Sequence, residues 1–121
     1  MTFTIEGAPR TKSNSPRIAR TKGGKRFVLP SKASVAWEAS AIGQLLKQRK
    51  APALAVPVNC RALVYRERNG PGDASNYYKA IGDALERGRA VVNDRLIVSW
   101  DGSRILLDRK RPRVEITLEP L

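Results

Sequence analysis

The stretch Gly70 to Asp94 reads GPGDASNYYKAIGDALERGRAVVND, and the rest of the chain is organised around it. Gly70-Pro71-Gly72 is a turn that cannot be helical, and Asp73 follows it where a helix N-cap belongs. Ala74, Tyr77, Tyr78, Ile81 and Leu85 then recur at i, i+3, i+4, i+7 and i+11, which marks one face of a helix. Asn76, Lys79, Asp83 and Glu86 fall on another face. Gly88 is placed to end the helix as a C′ glycine. Arg89 to Val92 reads as a short strand that delivers Asn93 and Asp94 at its end. A carboxylate at a helix mouth, a lysine further along that helix and a second carboxylate at a strand end could converge on a metal and a phosphate. Metal-dependent phosphodiester hydrolysis needs such a convergence.

Composition narrows the chemistry. The chain has 121 residues, enough for one domain, 1–121, that buries roughly two-thirds of its unfolded surface. It contains no histidine and one cysteine, Cys60. Serine–histidine and cysteine–histidine catalysis are therefore excluded, as are zinc sites built on His or several Cys. Carboxylates, lysines, hydroxyls and a hard cation such as Mg²⁺ remain. A lone cysteine in an apolar run, no membrane-spanning run and no leader-like N-terminus lead us to expect a reduced, cytoplasmic setting and no membrane partner.

The net charge of +12 is unevenly spread. Met1 to Gly72 holds 14 Lys and Arg against three acids, whereas Asp73 to Leu121 holds nine against eight. The first part supplies a positive field and the second concentrates the carboxylates, as expected of a nucleic-acid-binding protein.

In chain order, Thr2 to Glu6 alternates as a half-buried strand. Arg10 to Arg26 carries Arg10, Lys12, Arg17, Arg20, Lys22, Lys25 and Arg26 and no acid. Its Thr-Lys-Gly-Gly-Lys centre is a hairpin turn, with Arg17 to Arg20 and Arg26 to Leu29 as arms. It is either a solvated loop or an arm that tracks DNA phosphates, and the absence of acids from Gly7 to Trp37 favours the arm. Pro30-Ser31 opens a long helix, with Ser34 and Glu38 as a second capping pair if the first turn frays. Val35, Ala39, Ile42 and Leu46, flanked by Trp37, Ala41 and Leu45, form its apolar stripe, with Trp37 in the core. Val56 to Arg68 is the longest strand, with Val58, Cys60, Ala62 and Val64 on one face. Pro57 places its start at an edge. Arg66 and Arg68 at its end meet a phosphate or are only an exposed strand end. Leu96 to Trp100 and Arg104 to Leu107 form a tight hairpin or one long strand with a bulge at Gly102. Asp108 to Pro112 is a basic turn before a last strand, Arg113 to Glu119.

Asp73-Ala74-Ser75-Asn76-Tyr77-Tyr78-Lys79, then Asp83-Ala84-Leu85, then Asn93-Asp94, resembles the signature of the RusA family of Holliday junction resolvases. That signature runs Asp-x-Asp-Asn-x-x-Lys, an Asp-Ala-Leu-like helix end, and an Asp-Asp pair before a strand. Ser75 stands at its second aspartate and Asn93 at the first residue of the pair. The resemblance implies an α+β fold: one mixed sheet with two main helices, in a homodimer whose two-fold axis suits the two cuts a four-way junction needs. It also favours the long strand over the hairpin around Gly102. It implies that Asp73 and Asp94 ligate Mg²⁺, that Lys79 stabilises the phosphate, and that Ser75, Asn76, Asp83 and Asn93 support them. The implied activity is Mg²⁺-dependent cleavage of branched DNA in recombination and repair. The alternative is a catalytically impaired junction- or nucleic-acid-binding protein.

Overall fold

A computed structural model describes residues 1–11, 17–29, 31–69 and 73–121. Its elements in order are strands β1 (Thr2–Glu6), β2 (Arg17–Arg20) and β3 (Arg26–Leu29), helix α1 (Lys32–Gln48), strand β4 (Val58–Arg66) and helix α2 (Ala74–Arg87). A single 3₁₀ turn (Asp94–Leu96) then precedes β5 (Ile97–Ser99), β6 (Arg104–Leu107) and β7 (Arg113–Pro120). The fold is mixed α+β, as the sequence implies.

Strands β1, β7, β4 and β5 lie side by side in that order, and β6 continues the β5 side of β4. β7 is antiparallel to both β1 and β4, while β5 and β6 both run parallel to β4. Register explains the core. Ile5 faces Val114, which faces Val64, and Phe3 faces Ile116, which faces Ala62. These rows are buried on one face of the sheet, as alternation in β1, β4 and β7 requires. Trp37, Ala41 and Leu45 of α1 and Tyr77, Ile81, Ala84 and Leu85 of α2 pack into the same core. β4 lies inside the sheet, and Pro57 precedes its first residue. A proline outside the ladder costs no sheet hydrogen bond, so Pro57 says nothing about an edge.

β1 is an edge strand, and α1 covers its open side. Gln48 exchanges two hydrogen bonds with the Thr4 backbone, at 2.9 and 2.7 Å, and Gln44 exchanges two with Glu6, at 2.7 and 3.0 Å. Two side-chain amides thus satisfy the backbone groups that a bare edge would offer to another chain.

Several expectations need correction. The buried stripe of α1 is Ser34, Trp37, Ala41 and Leu45, whereas Val35 and Leu46 are 48% and 44% exposed. The helix is therefore rotated toward the face that carries its tryptophan. Ser31 is its cap, accepting from Ser34 N–H at 3.1 Å. Ser34 lies inside the helix, and Glu38 pairs with Arg87 of α2 instead of capping. Gly88 has φ −80°, and the left-handed residue is Arg89 at φ 59°. Glycine is needed at 88 for close approach: a Cβ there would lie 2.8 Å from Leu45 Cβ and 2.9 Å from the Ala84 carbonyl. Arg89 to Val92 is not a strand, because Val91 makes only an isolated parallel bridge to Leu54.

Residues 97–107 form the expected long strand with a break, not a hairpin, since β5 and β6 follow β4 in the same direction. Gly102 takes φ +84° at the break. Asn59, buried on β4, holds it closed. Its Oδ1 accepts from Ser99 Oγ at 2.7 Å and Asp101 N–H at 2.8 Å, and its Nδ2 donates to the Asp101 carbonyl at 3.1 Å. Trp100 therefore sits between two residues tied to one buried side chain.

Candidate active site

Three polar residues, Ser75, Lys79 and Asp94, come together where α2 meets the segment that follows it. Ser75, Tyr78, Lys79 and Gly82 of α2 line one wall of a cleft of about 330 Å³. Asp94, Ile97 and Trp100 complete the lining. Three of the residues read from sequence thus share one space: Ser75, Lys79 and Asp94, all exposed. The spacing of α2 accounts for its half. Positions 75, 78, 79 and 82 are one helical stripe, adjacent to the buried stripe of Tyr77, Ile81 and Leu85.

Asp94 is held by local hydrogen bonds. Its backbone N–H donates to Glu86 Oε1 at 3.0 Å, tying it to the last turn of α2. Asn93 Oδ1 accepts from Arg95 N–H at 2.9 Å and so caps the 3₁₀ turn that Asp94 begins. An asparagine oxygen fills that role as well as a carboxylate oxygen. Glu86 carries no signal in the sequence beyond its place on the helix.

Asp73 occupies the N-cap position of α2, yet its side chain makes no capping hydrogen bond. Its carbonyl accepts from Asn76 N–H at 3.0 Å. The carboxylate is exposed at the helix mouth, two residues before Ser75, and does not line the cleft. Asn76 is half-buried on α2 outside the cleft lining. Asp83 lines a separate crevice between the helices, with Arg10, Ser34, Trp37, Glu38 and Ala80.

The cations divide into two groups. Arg20, Lys22, Lys25 and Arg26 are exposed on the β2–β3 hairpin, whose arms have the expected bounds. Lys12 lies outside the described residues, and Arg17 is described only as the first residue of β2. Arg10 pairs with Glu67 and holds that carboxyl below the usual range, so part of its charge is neutralised internally. Arg66 is half-buried with its guanidinium carbon 5.9 Å from the Tyr77 ring centroid, and Arg68 is exposed. Neither lines the cleft.

The sequence reading missed one further feature. Tyr78 and Trp100 stack in the cleft wall, with centroids 4.8 Å apart and rings 9° from parallel. In the sequence Trp100 stands only as the last residue of the strand candidate Leu96 to Trp100. The sole cysteine contributes nothing here: Cys60 is buried in β4, and burial pushes its thiol up to about 12.

No group of three or more acidic or Cys side chains is close enough to share a metal among the described residues. The donors at the cleft and helix mouth are nevertheless all oxygens: two carboxylates and one hydroxyl. Such a set fits Mg²⁺, which takes one or two protein carboxylates and fills the remaining positions with water and substrate phosphate.

A central mixed sheet covered by two helices, with a lysine and a carboxylate lining one surface cleft, is a scaffold suited to phosphoryl chemistry. The profile of the family Endodeoxyribonuclease RusA matches residues 6–119, and the chain belongs to that family. A crossover junction endodeoxyribonuclease RusA from Aquifex aeolicus (strain VF5) is 34% identical over 89 residues. The alignment covers 74% of this chain and 68% of that relative.

Proposed function

We propose that residues 1–121 act as one endonuclease domain, a homodimer that resolves four-way DNA junctions by Mg²⁺-dependent phosphodiester hydrolysis. The observation that carries this reading is the meeting of Lys79, Ser75 and Asp94 in one cleft of a RusA-family chain. Asp94 and Asp73 would hold the cation, and Ser75 would orient a water beside it. When bound, Mg²⁺ supplies charge stabilisation at the phosphate and activates water. Lys79 contributes a fixed positive charge at the scissile phosphate, favouring the more negative transition state. Glu86 and Asn93 position Asp94 through its own peptide and the 3₁₀ turn.

The exposed cations of the β2–β3 hairpin bind the phosphate backbone without reading sequence. Two copies of the cleft related by a two-fold axis would match the two strands to be cut.

A second reading is a junction-binding protein with weak or no cleavage. It is favoured by Ser75 at a family carboxylate position and by the lack of a three-acid group among the described residues. Incubation of an end-labelled four-way junction with the protein, with and without Mg²⁺, separates the two. Paired symmetric nicks only with Mg²⁺ support the nuclease. A retarded complex that yields no product at any Mg²⁺ concentration supports the binder.

A further inference from the structure

We infer that the Tyr78–Trp100 wall of the cleft is a seat for one nucleobase of the bound DNA, next to the phosphate that Lys79 and Asp94 address; this rests on the reading of the chain as a DNA nuclease. A phosphate and a hydrated cation require polar walls. This cleft instead places two stacked aromatic rings and Ile97 beside its lysine and its carboxylate. An apolar, π-faced surface adjoining a cation fits a nucleotide, whose base stacks while its phosphate pairs with the charge. The volume of about 330 Å³ lies at the lower end of small-molecule sites and has room for a single base.

Gly82 borders the same aromatic surface. It lies in the interior of α2, where glycine is a poorer helix former than alanine. Packing does not demand it: a Cβ there would meet Asp94 Cβ, Ile97 Cδ1 and Trp100 Cζ2 at 3.9 Å, an ordinary contact distance. Its φ is not in the left-handed region either. Gly82 is buried, and its missing Cβ leaves a gap of methyl size bounded by Asp94, Ile97 and Trp100, so a longer side chain there would press on the residues that line the cleft. Gly88 on the same helix contrasts with it, because there a Cβ would collide with Leu45.

The test is a binding scan in chelator, so that cleavage plays no part. Synthetic four-way junctions carry a tetrahydrofuran abasic residue at successive positions around the crossover. Kd is measured for the parent, Trp100→Phe, Trp100→Leu and Gly82→Met. The parent and Trp100→Phe should lose at least about fivefold in affinity at one position flanking the cut, as loss of a base–aromatic stack predicts. Trp100→Leu should bind intact and abasic junctions alike, and Gly82→Met should bind the intact junction as weakly as the parent binds the abasic one. A scan flat at every position, or a penalty unchanged in Trp100→Leu, overturns the inference while leaving the nuclease reading intact. Should circular dichroism show Trp100→Leu unfolded, Tyr78→Leu and Gly82→Met decide by the same criteria. Failure of the parent to bind any junction would instead remove the nuclease reading itself, and the base seat with it.

Discussion

The carboxylate of Glu86 accepts the backbone N–H of Asp94 at 3.0 Å, so the last turn of α2 fixes a residue that shares the cleft with Lys79. Glu86 does not line the cleft and acts on the site only through Asp94. Glu86→Ala should raise the Mg²⁺ concentration for half-maximal cutting by about tenfold or more, the usual scale for groups that orient a metal ligand. Glu86→Gln, which keeps the acceptor, should restore it. Junction affinity in chelator should stay within twofold or so of the parent for both.

The hairpin cations should set the salt dependence of binding. If about six to eight phosphates are neutralised per dimer, log K should fall with log salt at a slope of roughly −5 to −7. Replacing Lys22, Lys25 and Arg26 together by Ala should flatten that slope, measured by gel shift between low and physiological salt. Arg10→Ala should change it less, because Arg10 is paired with Glu67. An unchanged slope in the triple variant would make the hairpin a solvated loop.

The two helix glycines should respond oppositely to alanine. Gly88→Ala forces a Cβ to 2.8 Å from Leu45 Cβ and should destabilise by about 1–3 kcal/mol. Gly82→Ala meets only ordinary contacts and should stabilise by up to about 1 kcal/mol. Thermal melts of the two variants read both signs directly.

Stability should fall on the acid side through three paired carboxyls. The Arg111 hydrogen bond lowers the pKa of Glu6, the Arg113 hydrogen bond that of Asp108, and the Arg10 hydrogen bond that of Glu67. A carboxyl depressed in the folded state stabilises fully above its unfolded pKa and loses that contribution as pH falls through the folded one. The unfolded references are 4.5 for Glu and 3.8 for Asp, so the melting temperature should decline below about pH 4.5. With no histidine in the chain it should be nearly level between about pH 6 and 8. Glu6–Arg111 is solvent-exposed and the other two pairs are partly buried, so high salt should shrink the acid-side loss, most at Glu6.

Alternation and helical period made much of this fold legible. β1 and the inward rows of β4 and β7 follow from residue pattern alone, because each has one buried face, whereas the β2–β3 hairpin follows from its Gly-Gly turn. The stripe of α1 was misplaced because Val35, Ala39, Ile42 and Leu46 are as apolar as the residues actually buried. Only the bulk of Trp37 and its packing against the sheet decide the rotation. Gly88 was read through the commonest use of glycine at helix ends, whereas here a neighbouring helix sets the demand. In the site, Ser75, Lys79 and Asp94 were visible because local spacing on α2 and one following turn bring them together. Trp100 joins them through a sheet break held by Asn59, a contact between residues distant in sequence.

The most direct measurement of the central claim is a Mg²⁺ titration of four-way-junction cleavage for the parent, Asp94→Asn and Ser75→Asp, with Kd in chelator measured alongside. Asp94→Asn should abolish cutting and leave junction binding equal or tighter, since one negative charge near the phosphate is gone. Ser75→Asp adds a second carboxylate to the cleft lined by Lys79 and Asp94, with Asp73 at the nearby helix mouth, and should lower the Mg²⁺ needed for half-maximal cutting or create cutting where the parent has none. In chelator that same carboxylate should only weaken binding by repelling DNA, so the opposite signs of its two effects identify the metal. Cleavage by Asp94→Asn at the parental rate, or parental cleavage that persists in excess chelator, would contradict the account.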